Sequence, residues 1–108
     1  RGDYEQAQSA FARALDLART LGSVRTLAYV HANLADLYRT TGQLEQALAA
    51  YEQAAQAAGE AGERSLVVYC DDGQANTLVL LGRPDEAARL LARARQAAEE
   101  LGSARLLA

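Results

Sequence analysis

The sequence predicts an all-α solenoid, a stack of antiparallel helices joined by short turns. Three observations carry this expectation. Glycines recur at a step of 40 residues, at Gly2, Gly42 and Gly82, and again at Gly22, Gly62 and Gly102. The text after the first set repeats in register: Gly2-Asp3-Tyr4-Glu5-Gln6-Ala7, Gly42-Gln43-Leu44-Glu45-Gln46-Ala47, Gly82-Arg83-Pro84-Asp85-Glu86-Ala87. Between the marks, apolar residues recur at the spacing of one helix face. A fixed period in this range marks an array whose units bury apolar faces only against their neighbours. Such arrays present surfaces to partners, and no enzyme is expected.

The first helix is expected over residues 3–21. Its stripe is Tyr4, Ala7, Phe11, Ala14, Leu15 and Ala18, with Asp3 as the N-cap. The second runs over 23–41 from the N-cap Ser23, with Leu27, Val30, Leu34, Leu37, Tyr38 and Thr41 on its apolar side. The third, over 43–58, carries Leu44, Ala47, Leu48, Tyr51, Ala54, Ala55 and Ala58. The fourth, over 63–81, carries Val67, Cys70, Gln74, Thr77, Leu78 and Leu81. Residues 66–70 taken alone read as a strand, and the helical register of the preceding repeat overrules that reading. The fifth runs over 84–101 with Ala87, Ala88, Leu91, Ala94 and Ala98. Pro84 suits a first helical turn, and Asp85 and Glu86 sit at the positive end of the helix dipole. Gly102 and Ser103 should close it and start a sixth helix. Helices ending at Gly42 or Gly82 are called A, and those following them B. Phe11, Leu34, Tyr38, Leu48, Tyr51, Leu78 and Leu91 should be among the most buried residues.

Composition narrows the function classes. The 108 residues allow one domain, residues 1–108. Much of the hydrophobic half is alanine, so the core should come from close helix contacts more than from bulky side chains. A net charge of −3 argues against a nucleic-acid groove, which needs a basic stripe. All basic residues are Arg, which fits a GC-rich bacterial coding sequence. The single Cys forms no internal disulfide, so a cytoplasmic setting is expected. No apolar run approaches a membrane span, and no signal peptide opens the chain. The absence of any Met points to a piece of a longer protein.

In the central repeat, Leu34-Ala35, Tyr38, Gly42, Leu44, Ala47, Tyr51 and Ala54 resemble the tetratricopeptide repeat signature. Tyr4, Ala7, Phe11 and Ala14 match its second half in the first copy. Leu78, Gly82, Ala87, Leu91 and Ala94 match in the third. His31 departs from the family's Trp and Gln74 from its Leu. The resemblance implies a right-handed superhelix of helical hairpins, here about two and a half repeats. The family's usual period is about 34 residues. The longer form resembles the repeats of bacterial transcriptional regulators of the maltose-activator type, and those of eukaryotic spindle-orientation adaptors.

Few residues invite chemistry. His31 is the only His and has no second ligand at metal spacing, so it reads as a partly buried ring. Cys70 reads as a buried, inert thiol. Asp71-Asp72-Gly73 lacks the alternating oxygens and terminal Glu of a calcium loop. Gly73, inside a helix, marks a close approach of a neighbouring helix or a partner. No metal, cofactor or catalytic group is expected.

The resemblance assigns the second face of the A helices to the concave groove. One stripe is Tyr29, Ala32, Asn33, Asp36, Arg39 and Thr40, and the next is Tyr69, Asp72, Gly73, Asn76, Val79 and Leu80. Tyr29, Asn33, Asp36, Arg39, Tyr69, Asp72 and Asn76 are the expected contacts to a protein or peptide. A clamp for acidic C-terminal peptides is not expected, because Arg39 is the only basic residue of the stripe. The alternative is a regulatory or self-associating segment of a larger bacterial transcriptional regulator or signalling ATPase. Tyr4, Phe11 and Leu15 at one end, and Leu90, Leu91, Leu101, Leu106 and Leu107 at the other, suggest a homodimer through incompletely covered ends.

Overall fold

The computed structural model describes the backbone of residues 2–107 and the side chains of residues 3–102, so the burial of Leu106 and Leu107 falls outside the described residues. Five helices follow one another: α1 (Gly2–Leu21), α2 (Val24–Thr40), α3 (Leu44–Glu60), α4 (Arg64–Leu80) and α5 (Pro84–Leu107). The A helices are α2 and α4, and the B helices are α1, α3 and α5. No strand occurs among the described residues, and residues 66–70 lie inside α4. Each helix packs on its sequence neighbours, and α2 also touches α4. The body is a slab of 46 × 37 × 17 Å with a radius of gyration of 14.7 Å. A compact domain of this size has about 13 Å, so the chain extends as a stack instead of closing on itself.

The turns explain the period. Gly22, Gly42, Gly62 and Gly82 take φ of 68°, 80°, 73° and 77°, a region that a Cβ disfavours. Each follows a helix end closed by two backbone bonds. In the third turn, Gly62 N–H donates to the Gly59 carbonyl at 3.2 Å and Glu63 N–H to the Ala58 carbonyl at 2.9 Å. The other three turns repeat that pair of bonds, which satisfies carbonyls the helix leaves open. The next helix starts at once. Ser23 caps α2 by accepting the Thr26 N–H at 3.2 Å, whereas Gln43 and Glu63 make no side-chain cap. Pro84 opens α5, as its fixed φ allows.

Two expected boundaries are corrected. Asp3 lies inside the first turn of α1 and is not its cap. Gly102 does not take positive φ, and α5 continues through Ser103 to Leu107. A positive-φ turn is held by the helix that packs back after it. Among the described residues no helix packs back after Gly102, and the continuing helix keeps its backbone bonds.

Burial follows alanine. Of the seventeen buried hydrophobic residues among those described, twelve are Ala. In α2 the buried line is Ala28, His31, Ala32 and Ala35, while Leu27, Val30, Leu34, Leu37 and Tyr38 are half-buried beside it. Leu48, Tyr51 and Leu78 are buried as expected. Phe11, Leu34, Tyr38 and Leu91 are only half-buried, which corrects the expectation for them. Helix backbones approach most closely where side chains are small, and the larger ones flank that line.

These turns yield a paired prediction. Gly62→Ala should cost about 1–2 kcal/mol, because a Cβ at φ +73° is strained although nothing crowds it. Gly59→Ala lies inside helix α3 with open space around it, and should stabilise by up to about 1 kcal/mol. Urea unfolding followed by circular dichroism checks both. Effects of equal sign would refute the turn's role.

Candidate functional site

The site is built around Tyr51. This residue of α3 is fully buried, and its ring lies flat against Gly73 of α4. A Cβ at Gly73 would stand 2.6 Å from two ring carbons, so only glycine fits there. The ring passes between the A helices, and its hydroxyl donates to Asp36 Oδ1 of α2. Asp36 Oδ2 accepts a second hydroxyl, that of Tyr69 from α4, at 2.6 Å. Arg39 stands one turn on, 3.7 Å from Asp36 and 5.9 Å from the centre of the Tyr51 ring. One carboxylate thus ties together α2, α3 and α4.

The surroundings keep the two phenols of this cluster protonated. Burial first, and then the bond to Asp36, push the Tyr51 hydroxyl well above its ordinary value of 10.0. For Tyr69 the bond to Asp36 leads, and burial adds to it. Both phenols stay neutral donors, with the carboxylate as their acceptor. Beside them, burial and then the charge of Asp71 push the Cys70 thiol up to about 12. It is an inert, fully buried thiol, as expected.

Above the cluster lies a cleft of about 260 Å³, lined by Arg39, Tyr51, Tyr69, Asp72, Gly73 and Asn76. A second cleft of about 320 Å³ continues toward α5, over Val68, Leu91, Ala94, Arg95 and Ala98. Tyr69 and Asp72 line both. The bonds and the first cleft bring together Asp36, Arg39, Tyr69, Asp72 and Asn76. Tyr29 and Asn33 are exposed on the same helix, about two turns and one turn before Asp36. Tyr29 carries Arg25 over its ring at 5.8 Å, and Arg25 pairs with Glu63 at the α3–α4 corner. Ala32, on the same expected stripe, is buried.

Tyr51 was legible as core and not as cleft floor. Val68 and Arg95 also escaped the stripe argument, because they belong to the flank of α4 and to α5. Asp71 and Arg93 were missed as well. Arg93 holds the buried Asp71 with two bonds, at 3.1 and 3.3 Å. The signal was present, since each stands eleven residues from Gly82 and a hairpin folded there sets them opposite. His31 and Gln53 hold the same places about Gly42. His31 is buried with Nδ1 unpaired, and burial, then the charge of Arg19, lower its pKa. No group of three His, Cys, Asp or Glu residues among the described residues is placed to hold a metal ion. None of the helices is long and apolar enough to cross a membrane among the described residues.

Residues 1–60 match the family model described as the tetratricopeptide repeat. No curated protein and no solved structure matches the chain.

The ring-on-glycine contact makes a prediction that opposes helix propensity. Gly73→Ala should gain up to about 1 kcal/mol in propensity yet lose more than that by overpacking, for a net loss of about 1–2 kcal/mol. Adding Tyr51→Leu should relieve the clash, so that the cost of Gly73→Ala falls in that background. Thermal unfolding of the four-member cycle tests this, and additive effects would show that the ring is not the obstacle.

Proposed function

Because the chain belongs to the tetratricopeptide repeat family, a family of protein-interaction scaffolds, we propose that its A-helix face binds an extended segment of a protein partner. The observation that carries this reading is the pair of adjoining clefts sharing Tyr69 and Asp72. Together they offer an open path across α2, α4 and α5. Its polar heads differ in availability. Asp36 is occupied by two hydroxyls, so its role is to hold Tyr69 upright. The side chains of Asp72 and Asn76 are exposed and make no hydrogen bond or ion pair with the described residues. An amide donates and accepts at once, which suits a peptide backbone. The Tyr69 ring adds contact area at low entropy cost. Tyr29 and Asn33 extend the same face toward the start of α2, and Arg39 supplies its cation. Catalysis has no part in this reading, and the setting is taken as the cytoplasm.

A second reading is self-association within a larger bacterial regulator, the setting in which repeats of 40 residues are found by resemblance. Leu17 and Leu21, one turn apart on α1, are 59% and 71% exposed, and Val24 lies beside them at the corner. Such a patch favours contact with another apolar surface.

Two measurements test these readings. Peptides selected by display against the full chain should lose roughly tenfold or more in affinity for the Asp72→Ala/Asn76→Ala variant, with unchanged helicity. Equal affinity for both forms would reject the A-helix face. For the second reading, sedimentation at micromolar concentration should find a dimer that Leu17→Glu/Leu21→Glu converts to a monomer. A monomeric unaltered chain rules out association through α1.

A further inference from the structure

A third cleft lies on the other side of α4. It opens between α3, α4 and α5 with a volume of about 350 Å³. Gln74 lines it, two residues beyond Asp72 and so about 200° around the helix. This side chain is only 8% exposed and has no hydrogen-bond partner among the described residues. Its amide atoms keep some contact with solvent, and because the residue lines the cleft a ligand there can replace that water as donor and acceptor.

The rest of the lining divides into floor and rim. Leu48, Leu78 and Leu90 form an apolar floor. Three arginines stand on the rim, and two of them are committed. Arg83 donates from two nitrogens to Glu86 at 3.0 and 2.7 Å, and Arg93 holds Asp71. Glu86 raises the pKa of Arg83 most, and Glu45 and Glu52 add to it; Glu52 and Glu86 line the cleft, and Glu86 also feels the charge of Arg89. Arg89 has no carboxylate within ion-pair distance among the described residues.

The preceding repeat is an internal comparison. Forty residues earlier, the same register holds Leu34, Gln43, Ala49 and Gln53 in place of Gln74, Arg83, Arg89 and Arg93. Packing of an A helix therefore needs neither the amide nor the cations. All four changes occur together around one cleft.

We infer that this cleft binds a small carboxylic acid with an apolar tail. The carboxylate lies on Arg89 and on the Gln74 amide, and the tail lies on the leucine floor. A guanidinium matches a carboxylate in shape and charge. The Gln74 amide donates to the second oxygen in place of water. The volume falls in the range of small-molecule sites. The site is separate from the A-helix face and does not rest on its reading.

The test is a nuclear magnetic resonance titration of the isotope-labelled full chain with sodium hexanoate. The expected dissociation constant is on the order of 1 mM, with the largest shifts at the Gln74 side-chain amide and at Arg89. Hexylammonium and inorganic phosphate should bind roughly tenfold or more weakly, since one carries the opposite charge and the other lacks the tail. Gln74→Leu/Arg89→Ala installs the residues of the preceding repeat. It should keep the helical signal and weaken hexanoate by about tenfold or more. Absence of hexanoate binding, equal affinity in the double variant, or phosphate binding as well as hexanoate overturns the inference. Should the double variant fail to fold, the shift map of the unaltered chain decides, and shifts centred away from Gln74 overturn it.

Discussion

The contact between Tyr51 and Gly73 is the point on which the rest of the structure depends. A large ring and an absent side chain meet where three helices converge. The ring fills the space that a Cβ would have taken, and its hydroxyl then reaches Asp36 across the gap between α2 and α4. The apolar requirement is one of size, and the polar requirement one of satisfied donors. Both are met by one residue. The consequence extends to the surface, because the same Asp36 holds Tyr69 in place at the edge of the cleft. The shape of the candidate site is therefore set from beneath, by core packing.

Around that point the core is thin. Alanine removes little apolar area per residue, so stability accrues from many close helix contacts and not from a few large side chains. This makes the polar contacts between helices weigh more. Asp71 with Arg93 replaces, in the last repeat, the pairing of places held by His31 and Gln53 in the one before. The last pair is bonded, whereas His31 keeps an unpaired nitrogen. Equivalent positions in successive repeats thus carry different chemistry on one backbone plan.

The 40-residue step made the helices legible, along with four of the turns, because a positive-φ glycine is a local requirement visible in any register. It failed at Gly102, which lies within α5 and does not take positive φ. Hydrophobic periodicity found the buried face of α3 but in α2 marked the flank of the buried line and not the line itself. Leu34 and Tyr38 are more hydrophobic than Ala28 and Ala32, yet the alanines lie on the line of closest approach. Periodicity weighs transfer free energy, whereas depth is decided by how near two backbones come. Of the candidate site, Asp36, Arg39, Tyr69, Asp72 and Asn76 were named from helical spacing together with the family resemblance, whereas Ala32 and Gly73 of the same stripes are buried. The contributions of Tyr51, Val68 and Arg95 were not legible, since they come from a neighbouring helix or from the flank of the stripe.

The turns have a further consequence for how the chain folds. Packing reaches only to sequence neighbours and to the next A helix, so most native contacts are short in sequence. Low contact order means that little loop entropy is spent before contacts begin to form. Any helical hairpin can then nucleate, and the stack grows outward from it. The α2–α4 core, where Tyr51 joins three helices, is the natural first unit. Helices α1 and α5 add to its two sides as separable, less protected layers, and hydrogen exchange should run fastest there.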